Sequence, residues 1–217
     1  MSNNSTSSAE IYHSRLGNMR IVNLNEMMSL CEGHKLWLLS SGEQGSRLNI
    51  FYTIIQGVDL SGTDLTNARF EMCEMKGAKF SKSKLDHAWF YRSDLTNASF
   101  TGTSLKKAEF LSAYCVNTSF CEAYLDETSF MYTRLLNSDF SKSRHTKTDF
   151  ERADLTGSNF SGSVFHGVDF TTASNFGRDN YSKITCDLKC KITHGIEVIG
   201  VDGKKYKSNN EKLERSS

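Results

Sequence analysis

Between positions 60 and 170 every fifth residue is large and apolar: of 23 such positions 20 are Leu or Phe, and the other three are Met75, Cys115 and His145. Two residues before each of these centres, from Val58 to Val168, stand only Ala, Ser, Thr, Cys or Val. A ten-residue alternation is nested in the series, because Phe70, Phe80, Phe90, Phe100, Phe110, Phe120, Phe130, Phe140, Phe150, Phe160 and Phe170 fill every second centre. A helix needs apolar recurrence about every 3.6 residues and a strand about every 2, so a period of five serves neither over any length. It does suit a coil built of pentapeptide sides, in which residues i−2 and i point inward and the chain turns after them. Such coils stack through ladder hydrogen bonds at roughly 4.8 Å and form a solenoid.

With four pentapeptides to a coil, every fourth centre stacks, which places Phe70, Phe90, Phe110, Phe130 and Phe150 in one interior column and Leu65, Leu85, Leu105 and Leu125 in another. Small residues at i−2 fit because a narrow tube with a Phe or Leu on every side has little room left at close-packed density. Roughly six coils, about 30 Å of solenoid, are expected between residues 50 and 170. His145 falls in the column of Leu125 and Phe165, where it either bonds inward to a neighbouring Ser or Thr or marks a bulge. With Lys142, Arg144, Lys147 and Arg152 it also forms a small basic spot, offset locally by Asp149, Glu151 and Asp154.

The flanks read differently. Residues 1–22 form a polar tail whose Ser/Asn/Thr-rich start lacks apolar periodicity. Residues 23–49 read as a helical N-terminal cap: Asn23 and Glu26 resemble a capping pair, Leu24, Met27, Met28, Cys31 and Leu38 recur at helical spacing, and Ser40-Ser-Gly42 ends the run near Leu39. Such a cap covers the open core and unpaired backbone groups of the first coil, and His34 is expected on its surface. Residues 171–208 read as a loop followed by a β-hairpin, Ile192–Val201 and Lys204–Lys207 about an Asp202-Gly203 turn. Residues 209–217 read as a solvated tail.

The stretches Gly57–Phe70, Ser93–Phe100 and Ala153–Phe160 carry the A-[DN]-L-x-x pattern, as in Ala153-Asp-Leu-Thr-Gly157. In this the chain resembles the pentapeptide-repeat family over more than half its length, and its N-terminal His34-Lys-Leu-Trp-Leu38 is similar to the helix before the first coil in many bacterial and phage members. The resemblance implies an all-β fold, a right-handed quadrilateral parallel β-helix preceded by a capping helix, and the C-terminal hairpin is read from its residues as the second cap. The family includes inhibitors that protect DNA gyrase, secreted bacterial effectors and many members of unassigned role, so the fold does not by itself assign a function.

Composition narrows the choice. Proline is absent, where average usage would give roughly ten, as expected if every backbone N–H is needed in a ladder. No apolar run near the start suits a signal peptide and none approaches a membrane-spanning helix, so a soluble cytoplasmic chain with no membrane contact is expected. The polar start is also similar to the leaders of type III effectors, which adds secretion into a host cell as an expectation. The six cysteines have no disulfide spacing and are read as reduced and structural; Cys186, Cys190 and His194 are each four apart, unlike the C-x2-C of structural zinc. No catalytic motif stands out, and neither enzyme activity, a cofactor nor a metal is expected.

From residue 50 to 170 there are 15 acidic and 13 basic side chains, a net of −2. Duplex DNA displays one negative charge per roughly 1.7 Å of axis, so this balance weighs against a DNA mimic that inhibits or protects gyrase, and against nucleic-acid binding, and leaves mimicry as an alternative. The preferred reading is a non-enzymatic scaffold for a partner protein. Outward positions should be polar, yet Trp89, Tyr91, Leu111, Met131 and Tyr132 cluster on one face, and Tyr114, Val116 and Leu136 on the next. These eight are the candidate partner-binding residues, for a protein whose identity the sequence does not disclose or for a second copy of the chain.

Overall fold

The computed structural model describes residues 19–174, 185–187, 189–192, 197–209 and 212–216. The repeat forms a four-sided parallel β-helix of about six coils. Equivalent residues of successive coils pair along each side, as in the runs Lys79, Ser99, Ser119, Asp139 and Lys84, Ser104, Tyr124. The backbone rule is simple. Each centre donates its N–H to the carbonyl of the i−1 residue one coil ahead (Phe90 to Glu109 at 2.7 Å, Phe110 to Ser129 at 2.8 Å), and each i−1 residue donates to the carbonyl of the i−2 residue one coil behind (Trp89 to Ala68 at 3.0 Å). Corners close through a bond from i−2 to the previous centre, such as Ala88 to Leu85 at 3.0 Å.

All eleven decade phenylalanines are fully buried. They form two columns on opposite walls, stacked within each column (Phe90 and Phe110 centroids 4.8 Å apart) and meeting edge to face across the tube (Phe100 and Phe110 at 5.5 Å). The residues at i−2 do more than fit. Where they are Ser or Thr, the hydroxyl of most donates to the carbonyl of a centre one coil back: Thr103 to Phe80 and Thr133 to Phe110 at 2.7 Å, Ser93 to Phe70 and Thr128 to Leu105 at 2.8 Å; Thr63 and Ser143 instead bond the preceding centre, Leu60 and Phe140. These hydroxyls are thereby satisfied, and those that reach back tie adjacent coils together.

His145 takes the inward option and no bulge forms. It pairs in register with Leu125 and Phe165, stacks on the Phe165 ring at 4.3 Å and shares a hydrogen bond with Ser143 Oγ through Nε2 at 2.7 Å. Its Nδ1 has no partner. Complete burial pushes the imidazole pKa down to about 3, so it stays neutral.

Both ends depart from the sequence expectation. Strand β1, Arg20–Ile21, lies in the stretch assigned to the tail, yet it pairs in parallel with β3, Thr53–Ile54; the first coil's free edge gives those residues a backbone partner. Residues 1–18 lie outside the described residues. Helix α1, Leu24–Leu39, begins where Asn23 accepts a bond from Glu26 N–H at 3.0 Å and buries Met27 and His34. His34 is therefore not on the surface: its Nδ1 accepts from Leu48 N–H at 3.1 Å, at the entry to β2, Asn49–Phe51, and its ring stacks on Trp37. Strand β2 pairs with β4, Arg69–Glu71.

At the other end the solenoid does not stop at Phe170. Strands β5, Tyr124–Asp126, β6, Arg144–Thr146, and β7, Val164–His166, continue into β8, Thr185–Cys186, with Cys186 under Phe165, and Phe170 N–H reaches Lys191 O at 2.9 Å. Cys186, Cys190 and Ile192 are buried in this last coil, so Ile192 belongs to the solenoid and not to the hairpin. Its step is longer than that of the coils before it: Arg144 pairs with Val164, but Val164 pairs with Thr185 and Asp169 with Lys191, which hides the coil from a fixed comb. Strand β9, Glu197–Gly200, pairs with β8 in parallel and with β10, Lys205–Asn209, in antiparallel fashion about Gly203; β10 pairs with β11, Lys212–Arg215. The expected tail thus contains a strand. The centre of the expected loop and His194 lie outside the described residues.

Two measurements test this packing. Phe110→Ala is expected to cost about 3 to 5 kcal/mol in urea unfolding because it opens a hole between two stacked neighbours, whereas Ser99→Ala, which removes only surface hydroxyl contacts, should cost about 1 or less; equal losses would refute the inward register. For His145 the unfolded imidazole takes up a proton near pH 6.5 and the folded one only near 3, so its contribution is fully present above the first value and falls as pH drops between them. His145→Leu is therefore expected to gain about 2 kcal/mol on the parent between pH 7.5 and pH 5; parallel stability curves would refute this.

Candidate protein-binding face

The eight candidate residues lie on one continuous surface. The coil-to-coil register stacks Tyr91, Leu111 and Met131 in a column at i+1 of the wall that carries Phe90, Phe110 and Phe130, with Trp89 on one side of it and Tyr132 at the corner on the other. Tyr114, Val116 and Leu136 continue around that corner onto the next wall. All are half-buried except Tyr132, which is exposed. The same wall carries three residues that the sequence reading did not include: Phe51 and Tyr52 beside Ile50, before the comb begins, both exposed, and Met72 after Phe70. Extending the comb back to Ile50 would have found Phe51 and Tyr52.

Arginines hold the rings in place. The Arg69 guanidinium lies 4.6 Å from the Trp89 ring centroid, Arg134 5.1 Å from Tyr114, Arg92 5.2 Å from Tyr91 and Arg152 5.4 Å from Tyr132. Each stack contributes about 0.5 to 1 kcal/mol at an exposed site. The rings are thus presented in fixed poses, which lowers the entropy cost of docking.

The corners separate this wall from the others. Residue i+2 of every pentapeptide from Tyr52 to Gly167 has φ between 48° and 75°, the left-handed region that costs an L-residue roughly 1 to 2 kcal/mol and Gly almost nothing. Two corner columns use Gly or Asn repeatedly, as in Gly57, Gly77, Asn97, Asn117, Asn137 and Gly157 or Gly62, Gly102 and Gly162, and a third has them at its ends, Asn67 and Gly167, with His87, Lys107, Glu127 and Lys147 between. The column beside the apolar strip reads Tyr52, Met72, Arg92, Ser112, Tyr132, Arg152 and contains neither. Large side chains sit where the backbone penalises them.

The wall opposite, around Phe80, Phe100, Phe120 and Phe140, presents small polar groups joined in a hydroxyl chain: Ser81 to Ser99 at 3.0 Å, Ser99 to Thr101 at 3.2 Å, Thr101 to Ser119 at 3.1 Å. Charges are paired from coil to coil, Lys79 with Asp59, Lys84 with Asp64, Lys107 with Glu127 and Lys142 with Glu122, at 3.6 to 3.8 Å. Among the described residues no group of three His, Cys, Asp or Glu could hold a metal ion. Cys190 Sγ lies 3.4 Å from Asp187 Oδ1, and burial drives the Cys73 thiol up to about 12.

The family model for pentapeptide repeats matches this sequence in eight copies, over residues 49–81, 73–110 and 133–171. The chain is a pentapeptide-repeat protein. Two trypsin-treated variants of QnrB1, a plasmid-mediated fluoroquinolone resistance protein, superpose on it: one at 24% identity and TM-score 0.57, covering 67% of this chain and 79% of its own, the other at 26% and 0.53, covering 65% and 74%. Comparison with curated proteins yields no match. Within this pentapeptide-repeat protein, residues 111–132 fall between the matched segments, although their coils are as regular as the rest, with Cys115 N–H donating to Arg134 O and Phe120 N–H to Asp139 O. Five of the eight candidates, Leu111, Tyr114, Val116, Met131 and Tyr132, lie in that stretch. There the A-[DN]-L-x-x pattern is interrupted at Cys115, Thr118 and Thr128 inside and at Tyr114, Ser119, Tyr124 and Ser129 before the centres, while Leu111, Val116, Met131 and Tyr132 occupy positions that it leaves open.

Tyr132→Gly separates corner strain from surface use. Relief of the left-handed conformation offsets loss of the ring, so unfolding free energy in urea should stay within about 1 kcal/mol of the parent. A loss of several kcal/mol would show that the ring is structural.

Proposed function

We propose that this pentapeptide-repeat protein is a non-enzymatic scaffold that docks a partner protein on the wall running from Tyr52 to Tyr132, centred on Leu111 and Met131. The observation that carries this reading is the gathering of Leu111, Tyr114, Val116, Met131 and Tyr132 on one continuous outward surface, where outward positions of the opposite wall are polar. The corner column without Gly or Asn supports it, because residues in penalised conformations persist where something other than folding requires them. Aromatic and Arg side chains held together are also the composition of interface anchors.

The test uses Leu111→Ser with Met131→Ser. The pair should abolish capture of proteins from the host cytoplasm, since anchors at an interface carry about 2 kcal/mol or more each, while melting shifts by a few degrees. Lys142→Gln, on the opposite wall, should leave capture unchanged. If the double variant folds and captures the same proteins, the face is not the binding site.

The likeness to QnrB1 supports a second reading, protection against fluoroquinolones by a DNA-mimicking rod. The net of −2 and the coil-to-coil pairing of Asp59, Asp64, Glu122 and Glu127 with lysines weigh against a duplex-like negative face. Expression in a susceptible bacterium decides: an unchanged inhibitory concentration of fluoroquinolone discards it.

A further inference from the structure

Helix α1 is apolar on two sides, and only one is used. Met27 and His34 are fully buried against the first coil. Beside them runs a second stripe, Leu24, Met28, Lys35 and Leu39, at spacings of four, seven and four over an arc of roughly 60°, with Cys31 half-buried at its border and packed against the core. Leu24 is 59% exposed, Met28 49% and Leu39 76%, and Ile21 just before the helix is 73% exposed. Among the described residues Leu39 and Ile21 are the most exposed large apolar side chains, and in a lone chain they gain nothing from that position.

We infer that this outer stripe is a contact between two copies of the chain, with their α1 helices packed antiparallel about a two-fold axis beside Cys31. The stripe is symmetric about its own midpoint. Leu24 and Leu39 lie equally far from the point between Cys31 and Glu32, and so do Met28 and Lys35. In an antiparallel pair Leu24 of each copy meets Leu39 of the other, Met28 lies along the aliphatic stem of Lys35, and the same patch serves both subunits, as a two-fold contact requires.

Charge follows the same symmetry. Glu32 and Lys35 are exposed and form a loose pair within the helix at 3.7 Å. Across the two-fold each Lys35 also reaches the other copy's Glu32, which gives two cross-subunit pairs from one sequence. A lipid surface fits less well. A helix lying on a membrane carries a polar face rich in Lys and Arg, and Lys35 is the single such residue from Leu24 to Leu39.

One 16-residue helix from each copy makes a small interface, well under the roughly 800 Å² per partner of stable complexes, so association belongs in the micromolar range. Sedimentation of the full chain between about 1 and 500 μM covers that range. The parent is expected to pass from monomer to dimer, and Met28→Glu with Leu39→Glu should raise the dissociation constant at least tenfold. Glu32→Lys and Lys35→Glu should each be monomeric alone, since each doubles one sign of charge at the seam, and an equimolar mixture of the two should dimerise again. A pair acting only within its own helix cannot produce that rescue. A parent that stays monomeric throughout, a dimer indifferent to Met28→Glu with Leu39→Glu, or a mixture that does not re-form dimers overturns the inference. A dimer lost instead in Leu111→Ser with Met131→Ser places self-association on the lateral wall and overturns it too.

Discussion

The parallel backbone ladder, with a step of four pentapeptides that holds up to Phe170, is the constraint on which the rest of the structure depends. Each N–H at a centre must find a carbonyl one coil ahead, so in these coils every side has the same length, and every corner must turn in the same space. The left-handed residue at i+2 makes that turn. Once length and turn are fixed, only the residues at i−2 and i face the axis, and the tube admits one large and one small side chain per side. Phenylalanine on two opposite walls fills the square because rings stack along a column and meet edge to face across it, both favourable arrangements for aromatic quadrupoles.

This explains what the sequence disclosed and what it withheld. The comb at positions 70, 90 and 110 is legible because the ladder enforces it residue by residue. Thr103 and Ser93 were legible as small, but their role as donors to Phe80 and Phe70 requires knowing that i−2 lies beside the carbonyl of a centre one coil back. Cys186 and Ile192 escaped because the last coil takes a longer step, and a period of five cannot follow a changed step. Residues Arg20–Ile21 escaped for a different reason: two residues pairing with a coil edge leave no periodicity at all. His34 is buried because the loop after α1 folds Leu48 against its ring, a contact between segments 14 residues apart.

The candidate face was partly legible on the same terms. Stacking every fourth pentapeptide brought Trp89, Tyr91, Leu111, Met131 and Tyr132 together on paper, and the structure places them on one wall. Phe51 and Tyr52 follow the centre Ile50, half a coil before the comb begins, and Met72 follows Phe70 at a corner where a single apolar residue carries no pattern. The arginine stacks could not be read, because whether Arg69 covers Trp89 or turns to water depends on side-chain direction at the corner. The outer stripe of α1 was present as Leu24, Met28 and Leu39, but a helix assigned as a cap is searched for one buried side, and this one has two apolar sides.

In a solenoid each coil touches only its neighbours, and its outward residues touch little beyond the coils above and below. Outward composition is therefore nearly free of the demands of folding, unlike the surface of a compact domain where loops and termini pack against it. A bias at outward positions then reports on use more directly than it would elsewhere. The bias here is doubly expensive for the fold: apolar groups are left in water at Tyr52 and Tyr132, and those same residues hold the left-handed conformation that Gly157 and Gly162 adopt without strain. The wall opposite, with the same ladder and the same buried phenylalanines, carries Ser81, Ser99 and Thr101, and its corner column sets the charged Lys82, Glu122 and Lys142 beside Gly62, Gly102 and Gly162, with no apolar residue among them. Folding alone accounts for the second wall but not for the first, and that difference between two walls of one regular object is the strongest physical reason to look for a partner on the side of Leu111 and Met131.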